Sequence, residues 1–230
     1  MSELRPLTDI DACVFDAYGT LFDVGSGMAR CRDALGNKMA PLLSMWQTKQ
    51  TSYSWLRSLM GEYVDFWHVT GNSLDTAMAS LGISGDTLRS RLMELWLKLD
   101  AFPDVKDVLL GLKNANLKTA ILSNGSTTML TAAVRSAGIH DLLNQVISVD
   151  KAGIFKPHPS AYQVGVDQLK VPAERILFVA SNAWDAAAAA NFGFRTVWVN
   201  RNSEPRENLP GGSAEHEITS LRELPKLLGL

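Results

Sequence analysis

Asp16 ends an apolar run, Ala12-Cys13-Val14-Phe15, and is followed by Ala17-Tyr18-Gly19-Thr20. Three further apolar runs lead into polar groups in the same way. Ser123-Asn124-Gly125 follows 118–122, Lys156-Pro157 comes a short loop after 145–149, and Ser181-Asn182-Ala183-Trp184-Asp185 follows 176–179. An aspartate ending a strand can simply cap the next turn, and alone Asp16 reads that way as readily as any other. With a lysine and a second aspartate expected at the same strand ends, carboxylate nucleophilic chemistry opens: Lys156 keeps Asp16 ionised and in place, and Asp185 anchors Lys156 or a water.

For these groups to meet, the strands must lie parallel, because the loops at the carboxyl ends of a parallel α/β sheet converge on one crevice. Short β-rich runs at 12–15, 118–122, 145–149, 176–179 and 196–199 alternate with longer helical patterns, which predicts an α/β fold with a Rossmann-like parallel sheet and helices on both faces. The runs are apolar without alternation, as suits strands covered on both sides.

Between the first and second runs, some ninety residues hold helical signals and no buried-strand pattern. This stretch predicts an inserted helical cap over 21–99, with the core formed by 1–20 and 100–230. Its strongest helix starts near Pro41 and is expected to carry Trp46, Tyr53, Leu56, Met60, Tyr63 and Trp67 on one face. Two more are expected at 73–81, with Ser73 as N-cap and Gly82 just past the end, and at 84–99, with Leu88, Leu92, Leu95 and Leu99. The segment 201–217, rich in Gly, Pro, Asn and charge, reads as the most mobile loop.

At 230 residues the chain can bury one full core with a subdomain to spare. Lys plus Arg number 22 against 24 Asp plus Glu, with no basic block to hold a phosphate backbone, so no nucleic-acid partner is expected. The opening residues show no apolar signal core and no stretch suggests a membrane span, so a cytoplasmic protein is expected. Cys13 and Cys31 read as ordinary thiols, neither a disulfide framework nor a metal cluster.

The strings FDAYGTLFDV, YSWLRSLM, LSNGS, KPHPSAY, FVASNAWDAAAA and FGFRTVWVNR span nearly the whole chain, and with them the sequence resembles the haloacid dehalogenase superfamily and, within it, the L-2-haloacid dehalogenases. The resemblance implies a metal-independent, cofactor-free hydrolase acting on short L-2-haloalkanoic acids. Asp16 would attack C2 from behind the carbon–halogen bond, and water would then hydrolyse the aspartyl ester to release a 2-hydroxy acid. Thr20 and Ser123 match hydroxyls that position a carboxylate, and Asn124 matches a halide-side donor. Lys156, Tyr162, Asn182 and Asp185 match the polar cluster around the ester and its water; Tyr18, Phe66 and Trp184 match the apolar wall. A homodimer is a further implication. Read from the residues alone, Thr20 and Ser123 also suit turns, Asn182 its own loop, Phe66 and Trp184 a core, and Tyr162 plain packing.

Two positions depart from the pattern. The family usually has an arginine after the tryptophan matched by Trp46, holding substrate carboxylate and departing halide, and Gln47 stands there, a hydrogen-bond donor without charge. Ala180 stands where a serine is usual. Arg30 and Lys49 are the basic cap residues that could compensate. The alternatives are a same-fold hydrolase of another small electrophile, a non-catalytic binding homologue, and a magnesium phosphatase. The last wants acids where Tyr18 and Ser181 stand.

Overall fold

The computed structural model describes residues 7–230; the opening residues, on which the expected lack of a signal core rests, lie outside them. Six parallel strands form one sheet in the order β3-β2-β1-β4-β5-β6. They are β1 (Ala12–Phe15), β2 (Lys118–Ser123), β3 (Gln145–Ser148), β4 (Ile176–Ala180), β5 (Arg195–Val199) and β6 (His216–Ile218). The chain moves one way from β1 to β3, then crosses back beyond β1 and continues the other way. Right-handed crossovers in opposite directions put their helices on opposite faces. Every residue of β1 and β4 is therefore buried, and β1 sits at the switch point where a crevice opens beyond the strand ends.

The cap is five helices: α1 (Val24–Ala29), α2 (Arg32–Leu35), α3 (Met39–Met60), α4 (Phe66–Ser80) and α5 (Asp86–Leu95). The chain leaves the core and returns to it side by side: Asp23 N–H donates to Asp100 O at 2.9 Å and Phe102 N–H to Leu21 O at 2.9 Å. The core helices follow as α6 (Val105–Asn114), α7 (Thr127–Ser136), α8 (Pro159–Leu169), α9 (Ala183–Phe192) and α10 (Leu224–Leu227).

Several expectations about the cap need correction. α3 stops at Gly61, whose φ of +71° is left-handed backbone open to glycine at little cost, so Tyr63 falls in a loop and Trp67 in the next helix. Leu56 and Met60 are 51% and 71% exposed. The buried stripe is instead Leu42, Trp46, Gln50 and Ser54, each four residues apart. Two polar members lie in it because α4 satisfies them or they bond back locally. Gln50 Nε2 donates to Thr70 Oγ1 at 3.0 Å, Trp46 Nε1 donates to Thr70 O at 2.9 Å, and Ser54 Oγ donates to Thr51 O at 2.8 Å. Burying an apolar side chain of this kind contributes about 1.5–3 kcal/mol, and no buried donor is stranded by it.

Ser73 is no N-cap. It lies mid-helix with its hydroxyl returned to Val69 O at 2.7 Å, while Asp65 caps α4 by accepting from His68 N–H at 3.0 Å. The helix expected over 84–99 is shorter, and Leu99 is buried beyond its end. The segment 201–217 is anchored at both ends. His216 pairs with Val197 in β6, an edge strand too short and polar for its pattern to show, and Arg201 is fixed as described below.

Candidate active site

Asp16 follows β1 directly, and its N–H still donates to Val179 O of β4 at 2.9 Å. The carboxylate therefore leaves the sheet from a fixed backbone. The turn after it depends on Gly19, with φ +84°; a Cβ there would also fall 2.9 Å from Ser181 Oγ. This close turn puts Thr20 beneath Asp16, with its hydroxyl 3.3 Å from Asp16 Oδ2 and 3.1 Å from Ser181 Oγ. Ser181 N–H donates to Thr20 Oγ1 at 2.9 Å, filling one acceptor site and turning the hydroxyl proton toward the two side chains.

Lys156 arrives from the loop after β3 and is 1% exposed. Its N–H donates to Asn124 Oδ1 at 2.9 Å, which ties the β2 and β3 loops together and leaves the Asn124 NH2 as a donor on the cleft side. The Lys156 ammonium donates to Asp185 Oδ2 at 2.7 Å and to Asp16 Oδ1 at 3.3 Å, and stands 4.7 Å from the centre of the Phe178 ring. Asp185, in the first turn of α9, also accepts from Tyr162 OH at 2.7 Å. A buried ammonium is thus bracketed by two carboxylates, the arrangement that makes such burial tolerable.

Asp16, Lys156, Ser123, Asn124 and Asn182 meet at an open cleft of about 920 Å³ between core and cap. Ser123 Oγ accepts from Gly125 N–H at 3.2 Å, leaving its proton to give to a ligand. Asn182 is the exposed N-cap of α9 but makes no capping bond, so it does not serve its own loop. Tyr18, Phe66 and Trp184 line the wall and Gln47 faces the cleft from α3. Trp184 meets Trp55 edge to face at 5.5 Å, and Tyr18 meets Trp96 at 4.9 Å. The Tyr18 hydroxyl is buried without a protein partner, and burial followed by the charge of Asp16 drives its ionisation far upward, so it stays a neutral phenol.

Tyr162, expected in the polar cluster and as a substrate-binding residue, bonds to Asp185 but is fully buried behind it and forms no part of the cleft wall, so the substrate contact is corrected. Nor do Arg30 and Lys49 reach the cleft. Arg30 donates to Lys98 O and pairs with Asp100, while Lys49 lies against its neighbour Tyr53.

The haloacid dehalogenase-like hydrolase profile matches residues 10–193. The chain belongs to that family. Over 220 residues it is 44% identical to (S)-2-haloacid dehalogenase 1 of Pseudomonas sp. (strain CBS-3), covering 95% of this chain and 96% of that one. An L-2-haloacid dehalogenase of Xanthobacter autotrophicus, solved with chloropropionic acid covalently bound, superimposes with a TM-score of 0.89 at 37% identity, covering 96% and 98% of the two chains. A dehalogenase solved as an intermediate complex gives a TM-score of 0.94 at 40% identity, covering 97% of this chain and 99% of that one.

In this haloacid dehalogenase-like hydrolase, two residues outside the expected set support the turn that carries Asp16. Ser181 has just been described. Arg201 donates to Thr20 O at 2.9 Å and to Asp104 at 2.9 and 3.1 Å, with its guanidinium 4.0 Å over the Phe102 ring. Burial works to raise Asp104, but Arg201, Ser220 and the Leu221 N–H outweigh it and hold the carboxyl below its usual value. Arg201 sits among polar loop residues and Asp104 at the start of α6, so no local pattern joins them in the sequence.

Asp185 predicts a pH dependence. Burial, assisted by the charge of Asp16, raises it to about 6 against the pull of Lys156. Only its ionised form fully pairs Lys156, so kcat/KM is expected to fall as pH drops through about 6. A carboxyl raised above its ordinary value of 3.8 favours folding most at low pH, and that contribution disappears as pH rises through about 6. Activity in that window should therefore be lost while the fold persists, which a pH–rate profile recorded beside circular dichroism would check. Loss of both signals together would refute it.

Proposed function

We propose that this protein hydrolyses the carbon–halogen bond of short L-2-haloalkanoic acids through an ester on Asp16. The observation that carries the reading is the Asp16 carboxylate, held by Lys156 and Thr20 beside an apolar wall at the mouth of a cleft. An Asp16 oxygen forms a bond to C2 as the halide departs from the opposite side with the bonding pair, inverting the centre. Partial desolvation by Tyr18, Phe66 and Trp184 and a fixed position both favour attack on carbon. The Asn124 amide suits the departing halide, and the Ser123 hydroxyl suits the substrate carboxylate. Water then adds to the Asp16 carboxyl carbon and that carbon's bond to the substrate oxygen breaks. The products are a 2-hydroxy acid, halide and one proton, with Asp16 restored.

Lys156, anchored by Asp185, holds the carboxylate in both halves of the cycle and stabilises the negative charge that develops on the ester oxygen. The names of the relatives support this substrate class, as does the covalently bound chloropropionic acid in one of them. The same reading makes the protein a cytoplasmic enzyme that needs no metal. It is a homodimer if a second copy covers Leu56, Leu59 and Met60, which are exposed on the last turns of α3; no helix among the described residues is long and apolar enough to cross a membrane.

The test is halide release from L- and D-2-chloropropionate, with phosphate release from a generic phosphate ester measured beside it, all in EDTA. The expected result is halide from the L enantiomer only, with inverted 2-hydroxy acid as product. Phosphate release without halide would overturn the reading.

A further inference from the structure

The charges around the cleft are predominantly negative. Two cations reach its wall, Lys156 and Arg201. Lys156 is already shared between Asp16 and Asp185, so that trio carries a net negative charge. Arg201 is spent on Asp104 and on the backbone of Thr20. Asp23, Glu204 and Glu207 also line the cleft, adding three carboxylates. A substrate carboxylate brought up to Asp16 thus enters a negative field with no uncommitted cation among the residues that line the cleft to offset it. The repulsion is greatest from Asp16, which the substrate must approach, and weaker from the solvent-exposed Glu204 and Glu207.

Gln47 is a neutral residue placed to meet a ligand in the cleft. It faces the cleft from α3, is exposed, and its amide bonds to no other group among the described residues, so it is free to meet a ligand as a neutral donor and acceptor. At about 920 Å³ the cleft does not discriminate by size among three-carbon compounds. Polarity is left to choose.

We propose that the cleft accepts uncharged 2-halocarbonyl compounds, 2-haloamides foremost, at least as readily as 2-haloacids, and that Gln47 sets this preference. The inference rests on the Asp16 ester chemistry proposed above, which an amide undergoes with the same balance. Asp16 oxygen bonds to C2, halide leaves with the electron pair, and water cleaves the ester to give a 2-hydroxyamide and one proton. The amide group needs only neutral partners, such as Gln47, Ser123 and Asn182 around the cleft, and pays no penalty for approaching Asp16.

The experiment compares halide release from L-2-chloropropionamide and L-2-chloropropionate by the native protein and by Gln47→Arg. Asp16→Asn serves as a blank, so that halide freed by thiol alkylation is subtracted. The native kcat/KM for the amide is expected to equal or exceed that for the acid. Gln47→Arg is expected to change the amide-to-acid ratio at least roughly tenfold in favour of the acid. A positive charge that helped only the departing halide would raise both substrates alike, so an unchanged ratio overturns the proposal. So does turnover of the acid without the amide in the native protein, a result that leaves the dehalogenase reading standing. No halide from either substrate, with both proteins folded by circular dichroism, overturns that reading and this inference together.

Discussion

Asp16→Asn is expected to reduce halide release to the uncatalysed background, a loss on the order of 10⁶-fold if the residue is the nucleophile. The substitution is nearly isosteric: the single Asn oxygen can face Lys156 while its NH2 faces the Thr20 oxygen, and the charge that attacks carbon is removed. Structure should survive it. Asp185 continues to pair Lys156 at 2.7 Å, and the repulsion Asp16 exerts on Asp185 disappears, so the Asp185 carboxyl should ionise at lower pH than in the native protein. The measurement is single-turnover halide release beside a thermal melt. Residual activity within tenfold of native, with a native melt, would mean that another group performs the attack. A second readout uses ¹⁸O-labelled water: native protein in single turnover should gain the label in the Asp16 carboxylate, because water attacks that carbon rather than C2.

How far the site was legible in the sequence follows from what each residue answers to. Asp16, Ser123, Lys156 and Asp185 sit just beyond apolar runs, and a parallel sheet forces such positions together whatever the intervening chain does. β1 accordingly coincides with its expected run, and β2 to β5 each depart from theirs by a single residue at one end. Ser181 belonged to a string that could be quoted, but its bond to Thr20 depends on Gly19 turning the β1 loop back, a matter of φ rather than of composition. Arg201 and Asp104 are ninety-seven residues apart and meet because α6 begins beneath the loop after β5; neither position differs in pattern from a solvated surface charge.

The cap was harder to read for a related reason. The periodicity that puts Leu56 and Met60 on one face with Trp46 and Tyr53 is real on α3, but the same helix carries a competing stripe through Leu42, Trp46, Gln50 and Ser54. Hydropathy alone favours the stripe with more apolar members. What decides is α4, whose Thr70 offers a carbonyl and a hydroxyl to Trp46 and Gln50 and so makes polar burial inexpensive. Tyr63 and Trp67 lie beyond Gly61, where one left-handed residue ends the helix irrespective of the aromatic pattern. Tyr63 is instead used across the boundary, its hydroxyl donating to Asp150 of the core at 2.7 Å, and Ser58 Oγ accepts from Phe155 N–H at 3.1 Å. These two bonds, with the paired connectors near Leu21 and Phe102, hold α3 and hence Gln47 over the cleft.

Lys156→Met is expected to damage activity and stability together, and the two losses can be separated. Methionine matches the length of the lysine stem and can occupy the same space against Phe178. Without the ammonium, Asp16 loses the donor on Oδ1, and catalysis should fall at least about 10²–10³-fold, as for other removed charge-stabilising donors. Asp185 is left 1% exposed with only Tyr162 to support its charge. Stranding one member of a buried pair costs about 3–5 kcal/mol, unless the carboxyl takes up a proton. Its ionisation should therefore move upward from about 6, and the destabilisation should deepen as pH rises through neutrality, because the native fold must then either keep the proton or bury the charge. Adding Asp185→Asn to Lys156→Met removes the stranded charge while retaining an acceptor for Tyr162. The double variant should recover most of the stability and its pH dependence should flatten, yet activity should stay lost because nothing has replaced the donor to Asp16. Recovery of activity with stability would mean that Lys156 acts only as a structural counter-ion to Asp185, and the catalytic role assigned to it here would fall.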